Sequence, residues 1–200
     1  RARTPAGPFQ AEVWQGFSQE HVLTRSVRDS AAVLDAIQGP DDGEPYSVLP
    51  PERPFLQEVC APPGKLRIGW TARPLLPATV HPDCVAAVQD AARLCESLGH
   101  EVVEAHPDLD GATFARDFVM LVIGETAAEV RETERVVGRR ARSGDLDPGT
   151  AVLSLHGRHV SAADYAEAVR RLKRTGRAMA AYFRKHDVLL TPTLAKPPLR

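Results

Sequence analysis

Nucleophilic catalysis needs a hydroxyl or thiol beside a base, and the residues able to supply these are few. The chain has eight serines: Ser18, Ser26, Ser30, Ser47, Ser97, Ser143, Ser154 and Ser161. None lies in a Gly-x-Ser-x-Gly elbow or forms a Ser-Ser pair in a glycine-rich loop. Ser26 and Ser161 each stand three residues before an aspartate, at capping-box spacing, and read as helix caps. Seven histidines are scattered. His156 and His159 flank Gly157 and Arg158, but no HExxH pattern or matching acid turns them into a metal site. Glu125 stands close to the apolar stripe of Phe118 and Leu121. It is either a boundary glutamate reaching solvent or a polar group on a pocket wall. No constellation among these residues completes a catalytic centre.

Two further groups carry charge or sulfur. Arg170, Arg171, Lys173, Arg174 and Arg177 form a dense basic run. A nucleic-acid footprint is one reading. A solvated helix face is favoured, because no aromatic platform interleaves the cations. Cys60, Cys84 and Cys95 make an odd count without CxxC spacing, against a disulfide framework or a zinc site. Cys84 and Cys95 fall on one helix roughly 16 Å apart, too far to bridge. They read as small hydrophobes in a reducing, cytoplasmic setting.

The elements that would position these residues centre on 65–107. Leu66-Arg67-Ile68-Gly69-Trp70 is β-prone. His81-Pro82-Asp83 opens a helix, with Pro82 suited to the first position and Asp83 to the positive dipole end. Val85, Val88, Ala92 and Cys95 recur at helical spacing, with Ala91, Leu94 and Leu98 widening the stripe. Gly99 fits a left-handed cap. A second strand follows at Glu101–Ala105, so the stretch predicts a right-handed β-α-β unit with parallel strands. Before it, residues 1–64 offer Trp14 and Phe17 as anchors, a helix capped by Ser26 and closed by Gly39, and a proline-rich connection. After it, in 108–200, Asp110 caps a long helix carrying Phe114, Phe118, Leu121, Val122 and Glu125 near one face. The pattern turns charged beyond Val130, and 139–147 reads as a loop. Asp147-Pro148 restarts a helix that Gly157 ends. The helix after Ser161 places Tyr165, Val169, Leu172, Met179 and Phe183 on one side, and Gly176 on that stripe suggests close packing. Asp187–Leu190 is a last strand. The expected class is α/β, with at least three strands.

Composition narrows the function classes. Twenty-five basic residues balance 26 acidic ones, so the whole-chain field favours no polyanion or membrane surface. The hydrophobic fraction, 43%, suffices for a core. No apolar run is long enough to span a bilayer, and no apolar signal region opens the chain. Its first residues read like the middle of a protein.

Three stretches read in order resemble the amidase signature family. The most specific is Gly157-Arg158-His159-Val160-Ser161-Ala162-Ala163-Asp164-Tyr165-Ala166-Glu167-Ala168, followed by Phe183 and Asp187-Val188-Leu189-Leu190-Thr191-Pro192-Thr193. Leu66-Arg67-Ile68-Gly69 and Leu98-Gly99-His100-Glu101-Val102 look like the family's middle. Thr24-Arg25-Ser26-Val27-Arg28-Asp29-Ser30-Ala31 resembles the helix after its signature segment.

The resemblance implies part of an α/β/α sandwich with a mixed sheet covered by helices. It implies acyl transfer by a Ser, a cis-Ser and a Lys, without metal or organic cofactor, on a small-molecule amide. Those catalytic residues would lie upstream: Arg3-Thr4-Pro5 looks like the tail of the run after the nucleophile, and Lys65, Lys173, Lys185 and Lys196 match no catalytic position. The chain then looks like a central-to-C-terminal piece that ends before the family's last strands. Such a piece is expected to be inactive alone, and open sheet edges would favour self-association, as a homo-oligomer. Pocket walls transfer to Phe118, Leu121, Val122 and Glu125, then to Trp70 and Thr71 at a strand end. Three alternatives stand beside the amidase reading: an amidotransferase-type subunit acting on a tRNA-linked acyl group, a linear or cyclic oligoamide hydrolase, and a non-catalytic α/β binding module. Neither nucleic acid, outside the amidotransferase case, nor a membrane is an expected partner.

Overall fold

The computed structural model describes residues 12–198 apart from Glu44, Ser47 and Ser143. The Arg3-Thr4-Pro5 motif and the serines Ser47 and Ser143 therefore lie outside the described residues. The chain divides into two compact units, Arg1–Pro63 and Gly64–Arg200.

The first unit holds a 3-10 turn at Trp14–Gly16 and two helices, α1 (Val27–Ile37) and α2 (Phe55–Glu58). The Ser26 hydroxyl accepts the Asp29 N–H at 3.1 Å, the cap its spacing predicts. The α2 turn, absent from the sequence reading, is preceded by Pro54, whose side chain cannot cap. Asp35 of α1 does so instead, accepting the N–H groups of Phe55 at 2.6 Å and Leu56 at 2.9 Å.

The second unit runs β1 (Arg67–Trp70), α3 (Pro82–Ser97), β2 (Glu101–Glu104), α4 (Gly111–Val137), α5 (Pro148–Gly157), α6 (Ala162–Phe183) and β3 (Val188–Leu190). The strands are each slightly shorter than the sequence suggests, and α4 runs up to the loop expected from Arg139. Beyond Val130 it continues for two further turns that are mostly exposed, with Glu134 half-buried where its carboxylate accepts the Ala141 N–H at 2.8 Å. Asp110, Asp147 and Ser161 cap α4, α5 and α6 as their spacing predicts, and Gly99 and Gly138 follow helices with φ of +90° and +76°.

The sheet order is β2-β1-β3, with both pairings parallel. The antiparallel member that a mixed sheet requires is not among the described strands. From β1 the chain steps through α3 to one side, and from β2 it returns through α4, α5 and α6 to the other. Two right-handed crossovers in opposite directions put α3 and the α4–α6 layer on opposite faces of the sheet. Along β1, Ile68 and Gly69 therefore face different layers. Gly69 meets α6: a Cβ there would overlap the Tyr182 hydroxyl, which donates to the Ala105 carbonyl at 3.3 Å.

Several apolar positions differ from the stripe the sequence suggests. Leu98, at 67% exposed, and Leu94 stand on the outer side of α3, and Val88 and Ala92 alone are buried there. On α6, Tyr182 is the inward aromatic and Phe183 is 40% exposed. A stripe of 3.6-residue period drifts over 22 residues, so the inward position moves by one near the end of the helix. Gly176 is exposed, with nothing within 4 Å of where a Cβ would sit, so it marks no close packing. The close approaches are at Gly157, whose Cβ would overlap the Ile123 carbonyl, and at Gly124, where a Cβ would stand 2.8 Å from the Tyr165 ring.

Candidate functional site

In a parallel sheet the carboxyl ends of the strands open toward loops, and binding crevices form outside those ends. Here the segments that follow β1 and β3 enclose one. The ladder extends one step past each strand: Thr71 N–H donates to the Leu190 carbonyl at 3.0 Å and Ala105 N–H to the Trp70 carbonyl at 2.9 Å. The two chains then part. They meet again where His81 N–H donates to the Ala195 carbonyl at 2.8 Å. Between those points lies a cavity of about 450 Å³. Its walls are the segment from Ala72 to Leu76 with Ala78 and Val80, the segment from Thr191 to Ala195, and Phe114 from the first turns of α4.

The lining is mostly apolar. Its polar side chains are Arg73, Thr191 and Thr193, with no serine, cysteine, lysine, histidine or carboxylate. Such a wall can hold and orient an apolar group. It has no base to take a proton and no nucleophile to attack a carbonyl at neutral pH. Among the described residues no group of three or more His, Cys, Asp or Glu is placed to hold a metal ion.

The six residues singled out from the sequence fall in two places. Trp70 ends β1 at the crevice and is half-buried. Thr71 follows, fully buried, and its hydroxyl accepts the Arg73 N–H at 3.0 Å, turning the chain into the crevice wall. Phe118 is half-buried and stacks on Phe114, with ring centroids 6.0 Å apart and planes 7° from parallel. Leu121 is 0% exposed. It belongs to the seam between α4 and α6 and is not part of the crevice lining. Val122 and Glu125 are half-buried further along α4. The Glu125 carboxylate accepts the Tyr165 hydroxyl of α6.

Two polar clamps bracket that seam. On one side Asp117 of α4 is buried and receives Arg171 of α6 in a fork, Nε at 2.7 Å and NH2 at 2.9 Å. On the other is the Tyr165–Glu125 pair. These pairings run antiparallel; Leu121 and Ala168, both fully buried, fall between them, and Leu172, also buried, follows directly after Arg171. The Arg171 hydrogen bonds hold the Asp117 carboxyl below its ordinary range despite burial. Arg171 thus leaves the basic run and becomes structural, while Arg170, Lys173, Arg174 and Arg177 remain exposed.

A third clamp closes the opposite end of the sheet. Asp187, just before β3, accepts the Arg67 backbone N–H at 2.8 Å and its guanidinium at 2.8 and 3.2 Å. These bonds bring the Asp187 carboxyl down to about 2.

The sequence reading missed the crevice's second wall. Thr191-Pro192-Thr193 was legible as a motif ending a strand. Its place in the wall depends on the pairing of β3 with β1 across 120 residues, from Ile68 to Val188, which no local pattern encodes.

A family model described as Amidase matches residues 1–200. The 6-aminohexanoate-cyclic-dimer hydrolase of Pseudomonas sp. (strain NK87) is 28% identical over 201 residues, covering 98% of this chain and 41% of that protein. The chain thus spans 41% of the length of this curated relative. Among solved structures, a 6-aminohexanoate cyclic dimer hydrolase complexed with substrate superposes with a TM-score of 0.78 at 28% identity, covering 86% of this chain and 36% of that one. A bacterial aryl acylamidase of the amidase signature family superposes at 0.76 over 88% of this chain and 36% of that one. At 22% identity it shows a shared fold.

Proposed function

The chain belongs to the amidase family, and from that premise we propose that it is the central-to-C-terminal part of a cytoplasmic hydrolase of small-molecule amides, contributing the sheet, its covering helices and a wall of the acyl pocket. The observation that carries this reading is the apolar crevice at the carboxyl ends of β1 and β3, which has binding surface and no reacting group. The nucleophilic serine, the cis-Ser and the Lys would be supplied by residues ahead of Arg1. The Lys, acting through the cis-Ser, takes the nucleophile's proton. The serine oxygen adds to the amide carbonyl, and backbone N–H groups of a glycine-rich loop hold the tetrahedral oxyanion. The C–N bond then breaks, the relayed proton leaves with the amine, and water releases the acid.

Within this chain Phe118 is the α4 residue we assign to the acyl pocket, through its stack on Phe114, with Trp70 and Thr71 fixing the crevice floor. Val122 and Glu125 lie further along α4, where Glu125 holds Tyr165 of α6, and with Leu121 they would support the helix that carries the wall. Relatives that are 6-aminohexanoate-cyclic-dimer hydrolases support an amide linking apolar methylene segments as the substrate.

The test compares the 200-residue chain with the full-length protein on a panel of aryl, linear aliphatic and cyclic amides. The chain alone should show no turnover above a buffer blank, while the full-length protein hydrolyses at least one class. Hydrolysis by the chain alone would overturn the upstream placement of the catalytic residues. No hydrolysis by the full-length protein would overturn the amide reading.

A further inference from the structure

The crevice wall from Arg73 to Ala78 has empty space on both sides. One side is the crevice. The other is a second cavity of about 460 Å³, bounded by Pro77, His106, Leu109 and the start of α4. The wall is thus a strap between two voids, and what seats it decides how wide each one is. Pro74 and Pro77 fix φ within it, so it moves more readily as a piece than by bending locally.

Its seat is Gly111, the first residue of α4. A Cβ at Gly111 would overlap the Leu75 carbonyl oxygen and stand 3.3 Å from the carbonyl carbon and 3.8 Å from the Leu76 Cα. All three atoms are backbone, which cannot step aside as a flexible side chain does. The Gly111 φ is not positive, so its conformation admits any residue. Only the nearness of the strap requires glycine there. Alanine would otherwise be the better helix former at this position.

We propose that Gly111 sets the width of the crevice, and with it the acyl groups the protein admits. The proposal rests on the amide-hydrolase reading and adds a specificity-determining residue outside the crevice itself. A side chain at Gly111 displaces the strap away from α4, toward Thr191–Ala195. Leu75 and Leu76, which line the crevice, then enter the space that an extended acyl chain would fill. Short acyl groups do not reach it.

The experiment measures kcat/KM of the full-length protein for linear aliphatic amides from acetamide to octanamide, for wild type, Gly111→Ala and Gly176→Ala. Gly176 is the control, a helical glycine with open space around it. For Gly111→Ala the octanamide-to-acetamide ratio should fall about tenfold or more, the scale of one methylene's fit in an apolar pocket. Acetamide should keep its wild-type value. Gly176→Ala should leave the ratio unchanged. An equal loss across the series would mark Gly111 as merely structural and overturn the proposal, as would an unchanged ratio. If Gly111→Ala does not fold, Leu75→Ala carries the test in the other direction. It shortens the strap's reach into the crevice, and the ratio should rise; an unchanged ratio then overturns the proposal. Absence of turnover by wild type on every amide overturns the underlying reading instead, a result distinct from turnover with an unshifted ratio.

Discussion

Helix α4 borders two regions within three turns of chain. At Phe114 it faces the crevice, where polar groups are few and space is left open. At Asp117 and Leu121 it faces α6, across an ion-pair fork and a hydroxyl–carboxylate bond with the fully buried Leu121 and Ala168 between them. The same helix is clamped and buried where it meets α6 and leaves a void where it meets the strap. A binding wall held by a firm helix keeps its shape without filling its own cavity. If the seam carries stability and the crevice carries the selectivity proposed for it, substitutions should separate the two.

Leu121→Ala should produce the largest loss, about 3–4 kcal/mol, because Leu121 is wholly enclosed and α4 and α6 cannot both collapse into the hole. Leu76→Ala, on a crevice wall and 42% exposed, should cost less than about 1 kcal/mol. Denaturant unfolding of the full-length protein checks both. Similar losses would erase the contrast between the two regions. The companion reading, that Leu121 touches the acyl group, predicts a changed ranking of acyl-chain lengths in Leu121→Ala; an unchanged ranking confines Leu121 to the seam.

How much of this contrast was legible beforehand depends on the range of each interaction. Caps at Ser26, Asp110, Asp147 and Ser161 were readable because the partner lies three residues away. The β-α-β unit was readable because its two strands flank one helix. The seam was half readable: Leu121 and Leu172 lay on recognisable stripes. Arg171 looked like one cation among five, since nothing local distinguishes the one whose fork meets Asp117 across 54 residues. The crevice was the least readable. It requires the β1–β3 pairing, the close seat at Gly111 and the reunion at His81 and Ala195, all contacts distant in sequence. The family resemblance points to α4, but to neither Phe114 as a lining residue nor the strap.

Acid should act on the seam and spare the crevice, which holds no carboxylate. The Asp117 carboxyl lies below its ordinary range in the folded protein because of Arg171, and Asp187 is brought down to about 2 by Arg67. A depressed folded-state value means that the unfolded chain binds its proton first as pH falls. The stabilisation is therefore complete above the unfolded value, about 4, and is lost progressively toward pH 2. Asp117→Asn removes the charge and should cost about 2 kcal/mol at neutral pH, less than for a fully buried pair because Arg171 reaches water on one side. It should also flatten the fall in thermal midpoint between pH 4 and pH 2. Wild type and variant losing stability in parallel over that window would show that Asp117 does not contribute to the acid response.

The smallest expected effect has the opposite sign. Gly176 and Gly157 are both helical glycines; the sequence suggests close packing at Gly176 and a helix end at Gly157, and the close packing is at Gly157. Gly157 closes α5 against α4, where a Cβ would overlap the Ile123 carbonyl and stand 2.7 Å from the Ala127 Cβ. Gly176 stands on the exposed side of α6 with nothing within 4 Å. Alanine at Gly176 restricts the unfolded chain and meets no neighbour, so it should stabilise by about 0.5–1 kcal/mol. Alanine at Gly157 must push two helices apart and should destabilise by about 1–3 kcal/mol, as overpacking does. Thermal unfolding of the two variants side by side decides the matter. If Gly176→Ala also destabilises, a surface packs on that side of α6 in the full-length protein, and the outer face carrying Arg170, Arg174 and Arg177 is an interface instead of a solvated one.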